Sequence, residues 1–517
     1  MNNPSSANFT IRRNTFILLC FIAAKFILQY ILISPAYELQ RDEYLHLDQA
    51  NHLARGYISV PPVTSWIAYI IKLLGNGYFW VKFFPGLFGA LTILLVWKII
   101  EALKGGLFAL VAGSLAILVS MILRVNILFQ PNSSDIFFWT LVYFTVVKYI
   151  STSNSKWFFA TGIAVGFGIL SKYNIIFLLL GLLPAILLTK HRKVFLEKNF
   201  YLSMGLAVLI ILPNLIWQYQ NHFPTLHQLN ELASTQLVNV KRSDFIKEQF
   251  LFFSSSIIII IASFIAFFFY QPFRQYRLFF ISYVITLCLF IFLKAKGYYA
   301  IGLYPVLICF GIVYLEEIFA VGWKKYVRIF IIIFILGGSI PLFLIAFPIQ
   351  SPQEIQKNNK RYKDFGALRW EDGKDHALPQ DFADMVGWKE LAFKADSVYT
   401  TLTGKGKTLI VCDNYGQAGA INYYTTKDVR AVSFNADYIN WFDLSEKFEN
   451  LIRVKEAGES EEELKKTSPF FLNALIAGRI TNEYAREYGS TIYVFTGAKI
   501  DIRERIRKEI NEKKNYR

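Results

Sequence analysis

Charge is scarce in this 517-residue chain: Asp, Glu, Lys and Arg make up 18% of it, against about 25% in soluble proteins. A soluble reading would need a very large core. The 54% hydrophobic and 17% aromatic content is instead gathered into uninterrupted apolar runs. About 20 such residues cross a bilayer, more than a soluble helix needs. Acids are scarcest in the first 350 residues, which hold 27 basic and 12 acidic side chains, against 27 and 26 beyond. The net charge of +16 therefore belongs almost wholly to the membrane part. There it suits orientation signals and anionic lipid or phosphate ligands. It gives no basic stripe on a soluble domain, so nucleic acid is excluded as a partner. Cysteine is rare as well. Cys20, Cys288, Cys309 and Cys412 have the spacing of neither a metal knuckle nor a redox pair and imply no disulfide framework. The glycine-containing turn "YGQAG" lacks the spacing of a dinucleotide fingerprint and reads as strand-to-helix geometry.

What is present is a series of about eleven spanning segments, near 14–34, 79–100, 106–123, 135–151, 156–171, 173–189, 200–219, 249–270, 277–293, 299–319 and 327–348. The fifth and sixth are separated only by "SKYN". The first run is long and lacks a clear small-x-small cleavage site, so it reads as a retained anchor. Arg12 and Arg13, Lys104, Lys148 and Lys156, the Lys190–Lys198 cluster, Arg274 and Arg277, and Lys324, Lys325 and Arg328 fall on one side, which the positive-inside rule makes cytoplasmic. The opposite face then collects a first outer loop, 35–78, with residues 123–135, 171–173, 221–249, 294–305 and everything after about 349. The expected architecture is an all-α polytopic membrane domain, 1–349, with a C-terminal extracytoplasmic α/β domain, 350–517. In that tail "DFADMVGWKELAFKADSVYTTL" reads as one helix. "TLIVCDNYGQAGAINYY" reads as strand, turn and helix, and "RAVSF" and "TIYVF" as strands. The terminal "RERIRKEINEKKNYR" reads as a solvated, fraying helix.

Ionisable residues converging on one membrane face mark a site. Asp42 and Glu43 follow the first span directly. If 42–55 is helical, Tyr44, Leu47, Ala50 and Ala54 form an apolar stripe that lays it on the bilayer surface, and Asp42/His46 and Asp48/His52 become i,i+4 neighbours. A carboxylate held there suits a general base. The same pairs could hold a divalent cation, although nothing in the sequence gathers three or four ligands. Asp135 opens the fourth helix, where an acid also serves the helix dipole. His222 and His227 lie in the 221–249 loop. Lys172, Lys294 and Lys296 break the positive-inside trend, and "KAKGYY" sets two ammoniums beside Tyr298 and Tyr299, a combination able to hold a phosphate.

Segments along most of the chain then share an ordered resemblance. They are "RDEYLHLDQANHLARGYISVPPVTSWI", "FQPNSSDIFFW", "GILSKYN", "LPNLIWQYQNHFPTL", "KAKGYYAIGLYPVL", "LPQDFADMVGWKELA", "CDNYGQAGAINYY" and "TNEYAREYG". Together they resemble the GT-C membrane glycosyltransferases, in the group similar to bacterial protein O-mannosyltransferases and the lipid A aminoarabinose transferase. The resemblance implies an enzyme of the bacterial cytoplasmic membrane with a periplasmic active site and a polyprenyl-phosphate-linked sugar donor. It places the catalytic carboxylate on Asp42 with Glu43 beside it, and a second outer-loop acid on Asp135. It puts Lys296, Tyr298 and Tyr299 near the donor phosphate, with Lys172 and Arg124 as further cations. His46, His52 and His222 are candidate acceptor or sugar contacts. The aminoarabinose enzymes carry Glu-Lys before their Pro-Pro pair. Here Ser59 and Val60 precede Pro61 and Pro62, so a metal ligand and a phosphate lysine of that subgroup are missing. Sugar, metal use and the acceptor (lipid, protein or glycan) are left open. The rival reading is a transporter or flippase of lipid-linked or anionic solutes, but no internal repeat is visible and the acids avoid the midplane.

Overall fold

Each of the eleven apolar stretches carries a helix. The computed structural model describes residues 4–235 and 237–515. Its bundle helices run Pro4–Ile31, Tyr78–Ala102, Leu107–Leu118, Asn132–Thr152, Lys156–Ser171, Ile175–Leu187, Lys198–Gln220, Ile257–Phe269, Arg277–Phe292, Tyr304–Ile318 and Lys325–Ala346. The chain is a multi-pass membrane protein. Among the described residues, six helices are long and apolar enough to cross a membrane, or eight if two bent pairs are each one span. The expected eleven are not all reached on these grounds. Leu107–Leu118 and Lys156–Ser171 are short apolar helices, and the 249–270 stretch is broken where Arg242–Phe252 meets Ser254–Phe269 at 59°.

The 35–78 loop, expected on the outer face, departs most from expectation. Its helix is only Arg41–Asp48, followed by a 3-10 turn, Gln49–Asn51. Sequence explains the start: the Gln40 side chain accepts from the Asp42 N–H at 2.8 Å, and Glu43 Oε2 accepts from the Gln40 N–H at 2.7 Å. This reciprocal cap satisfies two helix-end donors, and the acids Asp42 and Glu43 in the first turn favour the dipole. The helix does not lie on a bilayer with its polar face in water. Every residue from Glu43 to Asp48 is buried, because the tail covers it.

The tail carries a five-stranded sheet of order β2-β1-β3-β5-β4, with β1 Thr408–Cys412, β2 Ala431–Ser433, β3 Asn450–Lys455, β4 Phe471–Arg479 and β5 Thr491–Ala498. β1 pairs in parallel with β2 and β3; β5 runs antiparallel to β3 and β4. The expected strands at "TLIVC", "RAVSF" and "TIYVF" are present, and β3 and β4 are additional. The single helix expected over 381–402 is two, Gln380–Ala383 and Trp388–Leu402, divided at Gly387, whose φ of +89° suits glycine alone without strain. The last helix, Ile502–Asn515, does not merely fray in solvent. Ile502 and Ile506 are buried against Val411, Phe434 and Phe495 on one sheet face.

The other sheet face shares a core with the 35–78 loop. Tyr44, Leu45, Leu47, Ala68 and Ile71 pack in one cluster with Trp388, Leu391, Ile410, Ala418 and Ile421. The two glycines of "YGQAG" make this approach possible. A Cβ on Gly416 would lie 2.6 Å from Arg41 Cγ, and one on Gly419 would lie 2.8 Å from Tyr44 Cβ. Their role is close packing of the Tyr415–Tyr424 helix onto the Arg41–Asp48 helix, beyond the turn that the sequence suggested.

Candidate active site

A cavity of about 520 Å³ lies between bundle and tail. Its walls draw on every outer segment expected from the sequence: Asp42 from the first loop, Arg124 and Gln130 from the second, Lys172, Glu231, Lys296 with Tyr298 and Tyr299, and Glu371 and Tyr415 from the tail. Asp42 and the lysine-tyrosine turn therefore share one space. Ser59 and Val60 also line it, so the positions that depart from the aminoarabinose pattern face the same cavity.

Asp42 is half-buried and held from both sides. The Tyr415 hydroxyl donates to Oδ1 at 2.6 Å and Gln130 Nε2 donates to Oδ2 at 3.0 Å. Burial pushes the Tyr415 phenol far above its ordinary value despite nearby Arg41, so it stays a donor. Each carboxylate oxygen keeps lone-pair capacity for a further proton. Arg41 stacks on the Tyr415 ring at 4.4 Å. Burial opposes its charge, but Tyr415, Asp384, Glu487 and Asp42 outweigh that and raise it. His46 lines the cavity too; burial holds its imidazole below the ordinary value, against the pull of Asp42.

The cations face Asp42 across this space. Lys172 Nζ donates to Asn132 Oδ1 at 2.6 Å and sits 4.5 Å from the Tyr299 ring centroid and 5.2 Å from that of Tyr298. Lys296 pairs with Glu371 at 2.5 Å, and Arg124 with Asp381 at 3.0 Å. Burial would lift Glu371, but Lys296 outweighs it and holds the carboxyl below its usual range. Two tail carboxylates thus sit where an anionic ligand of these cations would sit.

Several expected site residues stand elsewhere. Glu43 does not accompany Asp42. Its side chain is 0% exposed and salt-bridged to Lys82 at 2.7 Å, and it accepts from the Phe129 N–H at 2.7 Å. A carboxylate so saturated is a clamp between loops, since a buried charge must be paired and hydrogen-bonded. Asp135 is buried outside the cavity lining. It accepts from Trp139 Nε1 at 2.9 Å and Asn174 Nδ2 at 2.8 Å, and Asn174 donates also to the Tyr299 carbonyl at 3.0 Å. It anchors the lysine-tyrosine turn through Asn174. His52 stacks on Trp441 at 4.3 Å, away from the cavity. His222 and His227 line an adjoining cleft. Of the two Asp/His pairs, Asp48 is engaged by Tyr438 and Asn422, from which it accepts at 2.7 Å each. Among the described residues no three His, Cys, Asp or Glu side chains gather as a ligand set. Sequence reading missed Lys82, Gln130, Arg41 and the tail residues Glu371, Asp381 and Tyr415. Tyr415 was in view within "CDNYG", but only the fold shows that it reaches Asp42.

Known proteins share this fold. Aligned over 93% of this chain and 98% of its own, ArnT from Cupriavidus metallidurans, solved bound to undecaprenyl phosphate, superposes with a TM-score of 0.61 at 13% identity. The fold is that of this ArnT structure. A family model described as dolichyl-phosphate-mannose-protein mannosyltransferase matches residues 59–217, a segment running from the loop after the first bundle helix into the seventh. Among curated proteins, the chain is similar to the lipid A galacturonosyltransferase RgtD of Rhizobium johnstonii (24% identity over 40% of this chain and 45% of RgtD). It is also similar to the lipopolysaccharide core galacturonosyltransferase RgtB of that organism (23% over 43% of this chain and 47% of RgtB). The chain thus spans less than half the length of these relatives, whereas the likeness to the ArnT fold extends over nearly all of it.

Proposed function

We propose that the protein is an inverting glycosyltransferase. It moves a sugar from a polyprenyl-phosphate donor to an acceptor hydroxyl at the outer face of the bacterial cytoplasmic membrane, with the tail extracytoplasmic. The supporting observation is the shared cavity: Asp42 on one wall, and Lys296, Lys172, Arg124, Tyr298 and Tyr299 on the others. The ArnT-like fold and the similarity to lipid A and core galacturonosyltransferases agree with it.

In this reading Asp42 takes the proton of the acceptor hydroxyl as that oxygen attacks the anomeric carbon. Such base catalysis contributes about 10²–10⁴-fold and requires hydrogen-bond reach, ~2.6–3.2 Å. Tyr415 and Gln130 fix the carboxylate and leave it room to receive the proton. The bond from anomeric carbon to phosphate oxygen breaks through an oxocarbenium-like state. The leaving group is a lipid phosphate, which departs as an anion and needs no general acid. It needs positive charge and hydrogen-bond donors already in place, which the lysines, Arg124 and the two phenols supply. Phosphate then takes the place of Glu371 on Lys296 and of Asp381 on Arg124. No step is assigned to a metal, because among the described residues no three His, Cys, Asp or Glu side chains form a ligand set.

The test is release of polyprenyl phosphate by the purified protein from a panel of polyprenyl-phosphate sugars. Release that is lost in Asp42→Asn supports the enzyme. Movement of the donor between leaflets that survives Asp42→Asn, without release, overturns it in favour of a flippase.

A further inference from the structure

A second cavity, about 400 Å³, lies in the tail. It opens at the carboxyl ends of β1 and β3. These parallel neighbours are the point where strand order reverses, since β1 leads through the Tyr415–Tyr424 helix to β2 on one side and β3 lies on the other. Open α/β sheets bind ligands in such a crevice. The sheet face below it is otherwise apolar, with Leu409, Val411, Leu451 and Phe495, yet β3 turns Arg453 and Lys455 into the cavity. Asp413 and Glu463 hold that pair in place: Lys455 lies 2.8 Å from Asp413, and Arg453 Nε 3.7 Å from Glu463. Two guanidinium groups nonetheless keep buried nitrogens without a hydrogen bond, Nε of Arg453 and Nη1 of Arg505. Both residues line this cavity. Arg505 is braced over the Phe470 ring at 4.2 Å. Buried donors are nearly always satisfied, and guanidinium donors match the oxygens of phosphate and carboxylate.

The cavity is also joined to the Asp42 site. A cleft of about 990 Å³ shares Gln228, Glu231 and Asn435 with the Asp42 cavity, and Asp413, Phe434 and Lys513 with the tail cavity. The loop after β2 borders all three spaces, and the loop after β1 borders two. We propose that the crevice at β1 and β3 is a second binding site, in which Arg453 and Arg505 take a phosphate or carboxylate group of the acceptor while its hydroxyl reaches Asp42 along the cleft. The carboxylates in the wall balance the cations, so recognition rests on the guanidinium donors of Arg453 and Arg505 that line the cavity and not on net charge. This rests on the glycosyltransferase reading for the acceptor's role; the anion site itself does not.

The experiment is calorimetric titration of inorganic phosphate into the full chain in detergent micelles. Wild type is expected to show two classes of site. Arg505→Gln, a change on a surface helix, weakens one class at least about tenfold, whereas Lys296→Gln weakens only the other. Glucose 6-phosphate and glucuronate as competitors tell a phosphate from a carboxylate preference. A phosphate isotherm identical in wild type and Arg505→Gln overturns the site. If no donor releases polyprenyl phosphate but Arg505→Gln still removes its class, the anion site stands and the acceptor role falls with the enzyme reading.

Discussion

Removing Lys82 while leaving Glu43 is expected to be among the most damaging single changes outside the cavity. Both side chains are 0% exposed, and the ammonium lies 2.7 Å from each Glu43 oxygen. At that distance the gross attraction is about 6 kcal/mol with an effective dielectric constant near 20. Desolvation offsets much of it, so the net worth of the pair is small. Breaking it from one side is different: an uncompensated buried charge costs about 3–5 kcal/mol. That corresponds to roughly two to four orders of magnitude in the folded-to-unfolded ratio at 1.36 kcal/mol per tenfold. Lys82→Met and Glu43→Gln should each show it. The double variant should recover most of the loss, because the orphaned charge is gone while the introduced amide oxygen still offers an acceptor to the Phe129 N–H. Denaturant unfolding in micelles, followed by tryptophan fluorescence, measures the cycle. The folded double variant should also retain transfer, in contrast to Asp42→Asn. Single variants as stable as the double, or a double variant as inactive as Asp42→Asn, would refute the assignment of Glu43 to structure.

Two further outcomes follow from the site. Tyr415→Phe deletes a hydrogen bond to a charged group worth about 1.5–3 kcal/mol; kcat should fall about tenfold to a hundredfold with donor KM little changed, whereas equal effects on both would make Tyr415 a mere packing residue. Burial raises Asp384 to about 7, against the pull of Arg486 and Arg41. A carboxyl raised in the folded state contributes stability that is complete below its unfolded value near 4 and is lost as pH rises through about 7. Stability measured by unfolding midpoint should therefore decline between pH 4 and 7, and Asp384→Asn should flatten that decline.

The bundle was legible because its signal is one-dimensional. An apolar run long enough to span announces a helix, whatever packs against it. Asp42, Lys172 and Lys296 were legible for a related reason: each is a charge at the end of such a run, where a charge is costly unless used. The partners were not legible, because they come from distant stretches. Lys82 sits inside the Tyr78–Ala102 helix and meets Glu43 across 39 positions; Tyr415 meets Asp42 across 373. Glu43 and Asp135 lie outside the cavity lining for the same cause. Adjacency to Asp42 in sequence turned the Glu43 side chain to another face of the helix, and position at a helix start left Asp135 bound to Trp139 and Asn174. β4 escaped notice because its middle is exposed, with Leu472, Leu475 and Ile476 open to solvent, so it shows no alternation of buried and polar positions.

The contacts at Gly416 and Gly419 also bear on where one module ends and another begins. Length and composition put a border near residue 350, but the physical seam runs elsewhere: a backbone from after that border lies flush upon Arg41 and Tyr44. Anyone transplanting the last third of this chain onto a different bundle should therefore carry the short cap-and-helix preceding the second span along with it. A tail grafted without its cognate bed would meet foreign side chains where none fit, and the carboxylate at position 42 would lose the phenol that steadies it.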